Sequence, residues 1–388
     1  MKFWKVFIKS MREQLRDPLT LSLSVVLAPM FVLMYWMFFP SGSTTYPVYV
    51  INEDVPVEVE GVVYAAGEDL IESMRSITYS DDLPILNVRV VEDIEMAEVK
   101  VKDRKVTLLV VIPAEFSQTM YAAGQGLESE PVDVTFIGDL TNPYYAVAAV
   151  MANAGLESYV QFVTGEQRPV QLDEIALGDS AARSEFEIYV PGMLIFAVII
   201  LVFQASMVVA YEVDAGTLRR LKITRMTSFD LLGGISLSVV LIGVVCILLA
   251  FLVAYWLGFR SQGPLWVAIL VGIITTFAVI GAGLIVAAFS KSVSQAFIIA
   301  NFPLVLFMFF SGAMYPVPNP RVFELGGRTI GLFDILPPTH AVVALNKVLT
   351  LGVGLDEVAF ELGALIVLSV AYVLVGVWLF QRNHMRAA

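Results

Sequence analysis

Charge is the scarcest property of this chain. Of its 388 residues, 15% are Asp, Glu, Lys or Arg and 57% are hydrophobic. A soluble domain is nearer a quarter charged, so an ordinary water-soluble globule is excluded, and the apolar excess is gathered into long uncharged runs. Cysteine is almost missing. Cys246 stands alone inside an apolar run, which excludes an intrachain disulfide framework and a thiolate metal site. The only two histidines, His340 and His384, cannot supply a paired-histidine metal site or HExxH, and no GxSxG is present. The phosphate-binding pattern GxxxxGK[ST] is also missing. Its nearest approach, Gly216 to Lys222, lacks the second glycine and the hydroxyl residue after the lysine, so this chain is not expected to bind ATP by that route. A formal net charge of -12 removes any electrostatic reason to bind nucleic acid. No catalytic residue, bound cofactor or metal is expected on this chain.

What the chain does have is a series of apolar runs long enough to cross about 30 Å of hydrocarbon as helices. Six are expected to span, at residues 19–39, 190–211, 229–259, 264–289, 293–313 and 357–381, and their apolar cores carry no ionisable Asp, Glu, Lys or Arg. The first run is read as a span rather than a cleaved signal. Its basic leader is long, its apolar run exceeds an h-region, and no small-x-small site follows. Ionisable groups inside spans mark ion pathways. Their absence argues against a pump with buried carboxylates and suits hydrophobic or amphipathic cargo, or a bundle whose work is mechanical.

Cations set the orientation. They fall in the leader (Lys2, Lys5, Lys9, Arg12, Arg16), after the second run (Arg219, Arg220, Lys222, Arg225), after the fourth (Lys291) and in the tail at residues 382–388 (Arg382, Arg386). Six spans place all four groups on one side, with both termini cytoplasmic. Residues 40–189 then lie outside. They carry 26 acidic and 8 basic residues, a net of -18, which leaves the remainder at +6. This segment reads as an α+β domain. Tyr46–Ile51, Val88–Val91, Val106–Ile112 and Val132–Ile137 are expected strands. Ala65–Thr78, Ala114–Ala123 and Tyr144–Val163 are expected helices, the second opened by Pro113. The fold class is therefore a polytopic α-helical membrane protein of six spans with an inserted α+β extracytoplasmic domain.

Three further segments stand out. Residues 1–18 form an expected interfacial amphipathic helix, with Phe3, Trp4, Phe7, Ile8, Met11 and Leu15 on one face and the cations elsewhere; packing of that face on protein is the alternative. Asp17-Pro18 breaks it before the first span. Residues 212–228 read as a short cytoplasmic helix, with Glu212 and Asp214 at its N-terminal end and Arg219 and Arg220 following, in line with the macrodipole. Residues 314–356 hold Pro316, Pro318 and Pro320, then Pro337-Pro338-Thr339-His340. They read as proline-broken short helices dipping toward the membrane from outside, with His340 a structural or capping residue.

These segments, in this order, resemble the ABC-2 type permease family, and within it the subgroup with a large extracytoplasmic domain between the first two spans. Arg16-Asp17-Pro18 resembles the end of that family's elbow helix. Glu212 with Gly216-Thr217-Leu218 resembles its coupling pattern, and Ser311-Gly312, Pro316 and Pro337-Pro338-x-His340 its tail motif. Ile112-Pro113-Ala114-Glu115-Phe116 and Asn142-Pro143 fit its exported domain. One departure is Asp214, near the place of a second glutamate.

The resemblance implies a permease subunit, not an enzyme, in the inner or plasma membrane. It implies pairing with a second permease subunit, identical or homologous. It also implies docking of a separate ABC ATP-binding subunit, which would hold ATP and Mg. Outward movement of a hydrophobic, amphipathic or ionic substrate follows. Glu212, Asp214, Gly216, Thr217, Leu218 and Arg219 would couple to the ATPase. Ser311, Gly312, Pro316, Pro337, Pro338 and His340 would shape the extracytoplasmic gate, and Arg16, Asp17 and Pro18 the elbow. A membrane-anchored receptor or assembly factor, whose acidic domain binds an envelope partner, remains the alternative. A membrane enzyme is the third reading, without any nucleophile–base or metal constellation to carry it.

Overall fold

Short apolar strands between residues 43 and 175 and the long apolar runs on either side of them fold into different units. The computed structural model describes residues 2–38, 44–59, 61–79, 82–165, 185–218, 226–325 and 328–385. It divides into a unit at Ser43–Ile175 and a second made of Met1–Gly42 with Ala176–Ala388.

The Ser43–Ile175 unit is built on a four-stranded sheet. In chain order its elements are β1 (Tyr46–Asn52), the hairpin β2 (Val57–Val59) and β3 (Val62–Tyr64), α3 (Ala66–Arg75) and β4 (Leu86–Val90). Then follow α4 (Ile94–Lys102), β5 (Leu108–Ile112), α5 (Phe116–Gly124), β6 (Thr135–Ile137) and α6 (Pro143–Thr164). The numbers α1 and α2 belong to Lys2–Arg16 and Pro18–Phe38 of the other unit.

The sheet order is β4-β1-β5-β6. β1 is parallel to both β4 and β5, with Val48 opposite Val88 and Leu108, and only β6 is antiparallel. Both faces are covered, as parallel strands require. Val48, Val50, Leu108 and Val110 face the core with α3, α5 and α6, while Ile51 and Leu109 pack against Ala97 and Val101 of α4. Parallel strands joined through helices make this unit more α/β than the α+β mixture expected. All four expected strands and all three expected helices occur, with shifted ends. The β2–β3 hairpin and α4 are additions; Glu-, Lys- and Val-rich Ile94–Lys102 has no clean period to betray it.

Asp54 fastens this unit. Its carboxylate accepts from Gly67 N (2.9 Å), Ser117 N (2.7 Å) and Ser117 Oγ (2.6 Å), while Ala66 N donates to Ser117 Oγ (2.8 Å). One carboxylate therefore satisfies the N-termini of α3 and α5, where the dipoles favour an anion. Asp54→Ala is expected to cost about 2–4 kcal/mol, from the loss of charge-assisted bonds to buried donors. Asp54→Asn is expected to recover little, because its amide turns a donor toward one helix N-terminus. Hydrogen exchange on the full chain checks this: slow amides in α3 and α5 should lose protection. Unchanged protection in Asp54→Ala would remove the assignment.

In the other unit, α1 and α2 are followed after residue 185 by α7 (Glu185–Ile199), α8 (Leu201–Asp214), α9 (Ser228–Trp256), α10 (Leu265–Phe289) and α11 (Val293–Phe310). Then come a hairpin β7 (Arg321–Leu325) and β8 (Arg328–Gly331), a 3-10 turn at Leu332–Ile335, α12 (Pro337–Leu349), a 3-10 turn at Asp356–Val358 and α13 (Ala359–Phe380). Among the described residues, five helical stretches are long and apolar enough to cross a membrane: Phe186–Asp214, Ser228–Trp256, Leu265–Phe289, Val293–Phe310 and Asp356–Met385. Ser24–Phe38, within α2, is a shorter apolar helix. The chain is a polytopic helical membrane protein with a small sheet region.

α10 is the central post of this unit, packing on α7, α8, α9, α12 and α13. Its buried Thr275 and Thr276 return their hydroxyls to Val271 O (2.7 Å) and Gly272 O (2.8 Å), so no polar group is stranded in the bundle there. Gly281 of α10 lies against the backbone of α13. A Cβ there would meet Val373 N at 2.6 Å, and one at Gly376 would meet Gly281 O at 2.8 Å.

One expectation fails in the segment 314–356. Its first half is the β7–β8 hairpin rather than a helix; the valine- and phenylalanine-bearing Arg321–Leu325 pairs with Arg328–Gly331. Its prolines at 337 and 338 open α12 rather than break it, since N1 and N2 need no N–H.

Candidate functional site

The elbow comes from a backbone rule. α1 ends at Arg16, Asp17 N reaches back to Glu13 O (3.2 Å), and Pro18 starts α2 with Leu21 N on Asp17 O (3.1 Å). α1 carries three faces. Val6, Ser10 and Gln14, four residues apart, are buried against the bundle. Trp4, Ile8 and Leu15 are exposed apolar residues, and Lys2, Lys5, Arg12 and Arg16 are exposed cations. The helix is thus packed on protein along one stripe while it keeps a separate apolar face and a basic edge, the pattern of an interfacial helix.

The stripe carries a polar network. Gln14 Nε2 donates to Ser238 Oγ of α9 (2.8 Å) and Ser10 Oγ (3.1 Å), Ser10 and Ser238 hydroxyls are 2.8 Å apart, and Gln204 Nε2 of α8 donates to Gln14 Oε1 (2.7 Å). All four residues are buried. Three helices are joined this way by bonds that a hydrocarbon environment makes costly to break.

Beside it lies the C-terminal end of α8. Glu212 is only 4% exposed. Lys9 Nζ of α1 sits 2.6 Å from Glu212 Oε1. Thr217 Oγ1 donates to Glu212 O (2.8 Å) and to its carboxylate Oε2. Burial by itself would lower the Lys9 pKa. The bond to Glu212 and the charges of Glu212 and Glu13 outweigh that and hold it above 10.5. Lys9 is therefore charged at neutral pH, and what its charge contributes is lost as pH climbs through its raised value.

This geometry corrects the expected arrangement of residues 212–228. Glu212 and Asp214 do not open a separate helix. They occupy the last turn of α8, where the helix dipole disfavours carboxylates. Each finds its own compensation: Glu212 takes Lys9, and Asp214 Oδ2 faces Val293 N (3.4 Å) at the start of α11, where the dipole favours an anion. The break between α8 and the next helical residues is at Ala215-Gly216. Gly216 has φ +66, a conformation that strains residues with a Cβ. Helical backbone resumes at Thr217-Leu218, and Leu218 is buried with Val209, Leu231 and Leu232. Arg219, with Arg220, Lys222 and Arg225, lies outside the described residues.

The second constellation lies at the end of α11 and the start of α12. Ser311 is buried at the end of α11, its Oγ accepting from Ala313 N (3.3 Å), and Gly312 has φ +79. Pro337, Pro338, Thr339 and His340 are buried in the first turn of α12. Thr339 Oγ1 donates to Phe333 O (2.8 Å), and His340 Nε2 lies 2.9 Å from Asp334 O. Asp334 in turn accepts from Asn319 Nδ2 (2.9 Å) and Gly331 N (2.8 Å). His340 is thus engaged with backbone. Pro316 is exposed and joins none of these contacts.

Several side chains escaped sequence reasoning. Lys347 of α12 and Glu361 of α13 form an ion pair at 2.8 Å, with Glu361 6% exposed. The span expected at 357–381 includes that carboxylate, but its charge-free core begins only at Leu362. Lys9 was one basic residue among five, and nothing local distinguished it. Gln204 had a signal, as the only amide in the run Val190–Tyr211. Among the described residues no group of three His, Cys, Asp or Glu is placed to hold a metal ion. The arrangement offers mechanical linkage between helices, with polar bonds that tie α1, α8, α9 and α11 at one end.

A family model described as ABC-2 family transporter protein matches residues 18–378. Comparison with curated proteins returns no match.

Proposed function

The chain belongs to the ABC-2 family of transporter proteins, and from that membership we propose that it is the permease subunit of an ATP-driven exporter, moved by a separate ABC ATPase subunit. ATP and Mg belong to that partner, and no cofactor is assigned to this chain. The proposed path is outward, for a hydrophobic, amphipathic or ionic substrate, along spans paired with a second permease subunit.

The observation that carries this reading is the Lys9–Glu212–Thr217 cluster. It fastens the end of a membrane-length helix to the elbow helix and to the first residues after Gly216. A push on Thr217-Leu218 and the basic segment beyond it would therefore move α8 and α1 together. Asp214 on the α11 N-terminus would carry the same push to a third helix. Glu212, Asp214, Gly216, Thr217, Leu218 and Arg219 are accordingly assigned to ATPase coupling. Ser311, Gly312, Pro316, Pro337, Pro338 and His340 are assigned to the extracytoplasmic end.

We count α2 as the first of six spans. Its 21 residues from Pro18 to Phe38 contain no Asp, Glu, Lys or Arg, and 21 residues suffice for about 30 Å. Both termini are then cytoplasmic, the Ser43–Ile175 unit is extracytoplasmic, and its net negative charge keeps it soluble there. The test is co-purification of the tagged chain with its ATPase subunit. Wild type should retain the subunit, and Glu212→Ala with Gly216→Val should lose it. Retention in the double variant would remove the coupling assignment. Protease added to intact cells should cut within 40–189. Cleavage only from the cytoplasmic side would overturn the orientation. The receptor reading has no observation of its own in the membrane unit.

A further inference from the structure

Protons fix the direction of the buried network between α1, α8 and α9. Ser238 Oγ donates to Ile235 O (2.7 Å), so its proton is used within α9. Ser10 is then the donor across the 2.8 Å contact between the two hydroxyls. Gln14 Nε2 gives one proton to Ser238 Oγ (2.8 Å) and the other to Ser10 Oγ (3.1 Å). Gln14 Oε1 accepts from Gln204 Nε2 (2.7 Å). Every donor points from α8 through α1 to α9, and Gln14 bonds to both neighbours of its helix. Gly234, one turn before Ser238, allows this approach, since a Cβ there would come within 2.9 Å of Phe3 O. Contact against a glycine does not by itself resist sliding, and lipid supplies no hydrophobic drive to hold the register. The hydrogen bonds set it.

We propose that Gln14 is a positioning residue for coupling, and that through it α9 travels with α1 and α8 when the ATPase subunit pushes. The inference rests on the coupling reading of Glu212 and Thr217, which reaches α8 and α1 but not α9. Its basis is leverage. Lys9 holds the end of α8 at Glu212, and a single hold leaves α8 free to pivot. Gln14 holds the same helix at Gln204, about 12 Å further in along its axis. Two holds fix the angle between α1 and α8, and the bond from Gln14 to Ser238 passes that angle to α9. Local stability does not demand this arrangement. Gln204 Oε1 is buried and receives no hydrogen bond among the described residues, and an unpaired buried acceptor is costly. Leucine at 14 and 204, similar in volume, removes that acceptor together with both amides. The protons of Ser10 and Ser238 keep their acceptors.

The experiment uses the full chain with its ATPase subunit in nanodiscs. Spin labels at Ile8→Cys of α1 and Leu252→Cys of α9, both exposed positions, report the angle between the two helices, because Leu252 lies about 20 Å along α9 from Ser238. In the otherwise wild-type chain the distance distribution is expected to stay the same when a non-hydrolysable ATP analogue is added. Gln14→Leu/Gln204→Leu is expected to melt no lower than wild type and to retain the ATPase subunit, yet its distribution should shift or broaden with the analogue. Ser238→Ala cuts the α9 end alone and should release the same pair of labels, which decides the matter if the double variant does not fold. A wild-type distance that moves with the analogue overturns the proposal, because α9 then does not travel with α1. A distance that stays fixed in Gln14→Leu/Gln204→Leu and in Ser238→Ala overturns it as well, because packing then suffices. These two outcomes leave the coupling reading intact. A wild-type chain that retains no ATPase subunit overturns that reading and this inference with it.

Discussion

Gly281→Leu is expected to prevent the membrane unit from assembling, and Gly281→Ala to destabilise it by about 1–3 kcal/mol, the range for overpacking in a filled core. The argument is geometric. α10 and α13 approach until the backbone of one replaces the side chain of the other. A Cβ at Gly281 meets Val373 N at 2.6 Å and the Tyr372 carbonyl carbon at 2.7 Å. These are backbone atoms of a helix, so they cannot rotate away as a side chain would. Small residues at such crossings are what let membrane helices gain packing energy, because lipid offers no hydrophobic drive to hold them together. Gly376 approaches from the partner helix, with Gly281 O 2.8 Å from its notional Cβ, so Gly376→Ala should cost a similar amount. The two costs should not add, since one separation of the helices relieves both. The measurement is the fraction of detergent-solubilised protein that remains monodisperse after heating. Melting of Gly281→Ala together with wild type would mean that the helices are not in this register.

The second large effect is expected at the Lys9–Glu212 pair. Lys9→Met leaves a carboxylate that is 4% exposed without its cation, at a helix end whose dipole already opposes it. The expected cost is about 1–3 kcal/mol, below that of a wholly buried pair because Lys9 keeps partial contact with water. Glu212→Gln removes the charge but retains an acceptor for Thr217. The double variant Lys9→Met/Glu212→Gln should be less damaging than the sum, by a coupling of about 1–2 kcal/mol. Stability and transport should part company here. The double variant is expected to fold nearly as well as Glu212→Gln and yet stimulate its ATPase poorly, since α1 and α8 are no longer fastened at that point. A cycle with no coupling would show that the contact is incidental. Full stimulation by the double variant would take the pair out of the force path and leave its structural role standing.

Much of this was legible beforehand because the penalty for a charge in hydrocarbon is large and local. Runs without charge mark helices wherever they sit, so the ends of α9 and α10 fall close to their expected places. Strands such as Tyr46–Asn52 announce themselves through β-branched and aromatic residues in a short run. Pro18 and the pair Pro337-Pro338 act through their own rings and therefore had to punctuate helices. The failures have a common source. The β7–β8 hairpin has strands of five and four residues, too short for a period to show beside three prolines. α4 is amphipathic only weakly. Glu212 and Asp214 looked like the start of a helix because sequence shows only that acids precede bases. The turn at Gly216 decided that they end the previous one.

By itself the sequence determined a membrane protein, its helical runs and its acidic segment, because each follows from the solvation of residues taken a few at a time. Only the tertiary structure decided that Lys9, rather than its four basic neighbours, meets Glu212, that Gln14 and Gln204 join across 190 positions, and that α10 stands at the centre with Gly281 against α13. Those are pairings between distant segments. Their energy depends on distances of a few ångströms that no local pattern encodes, so they exist only once the helices have packed.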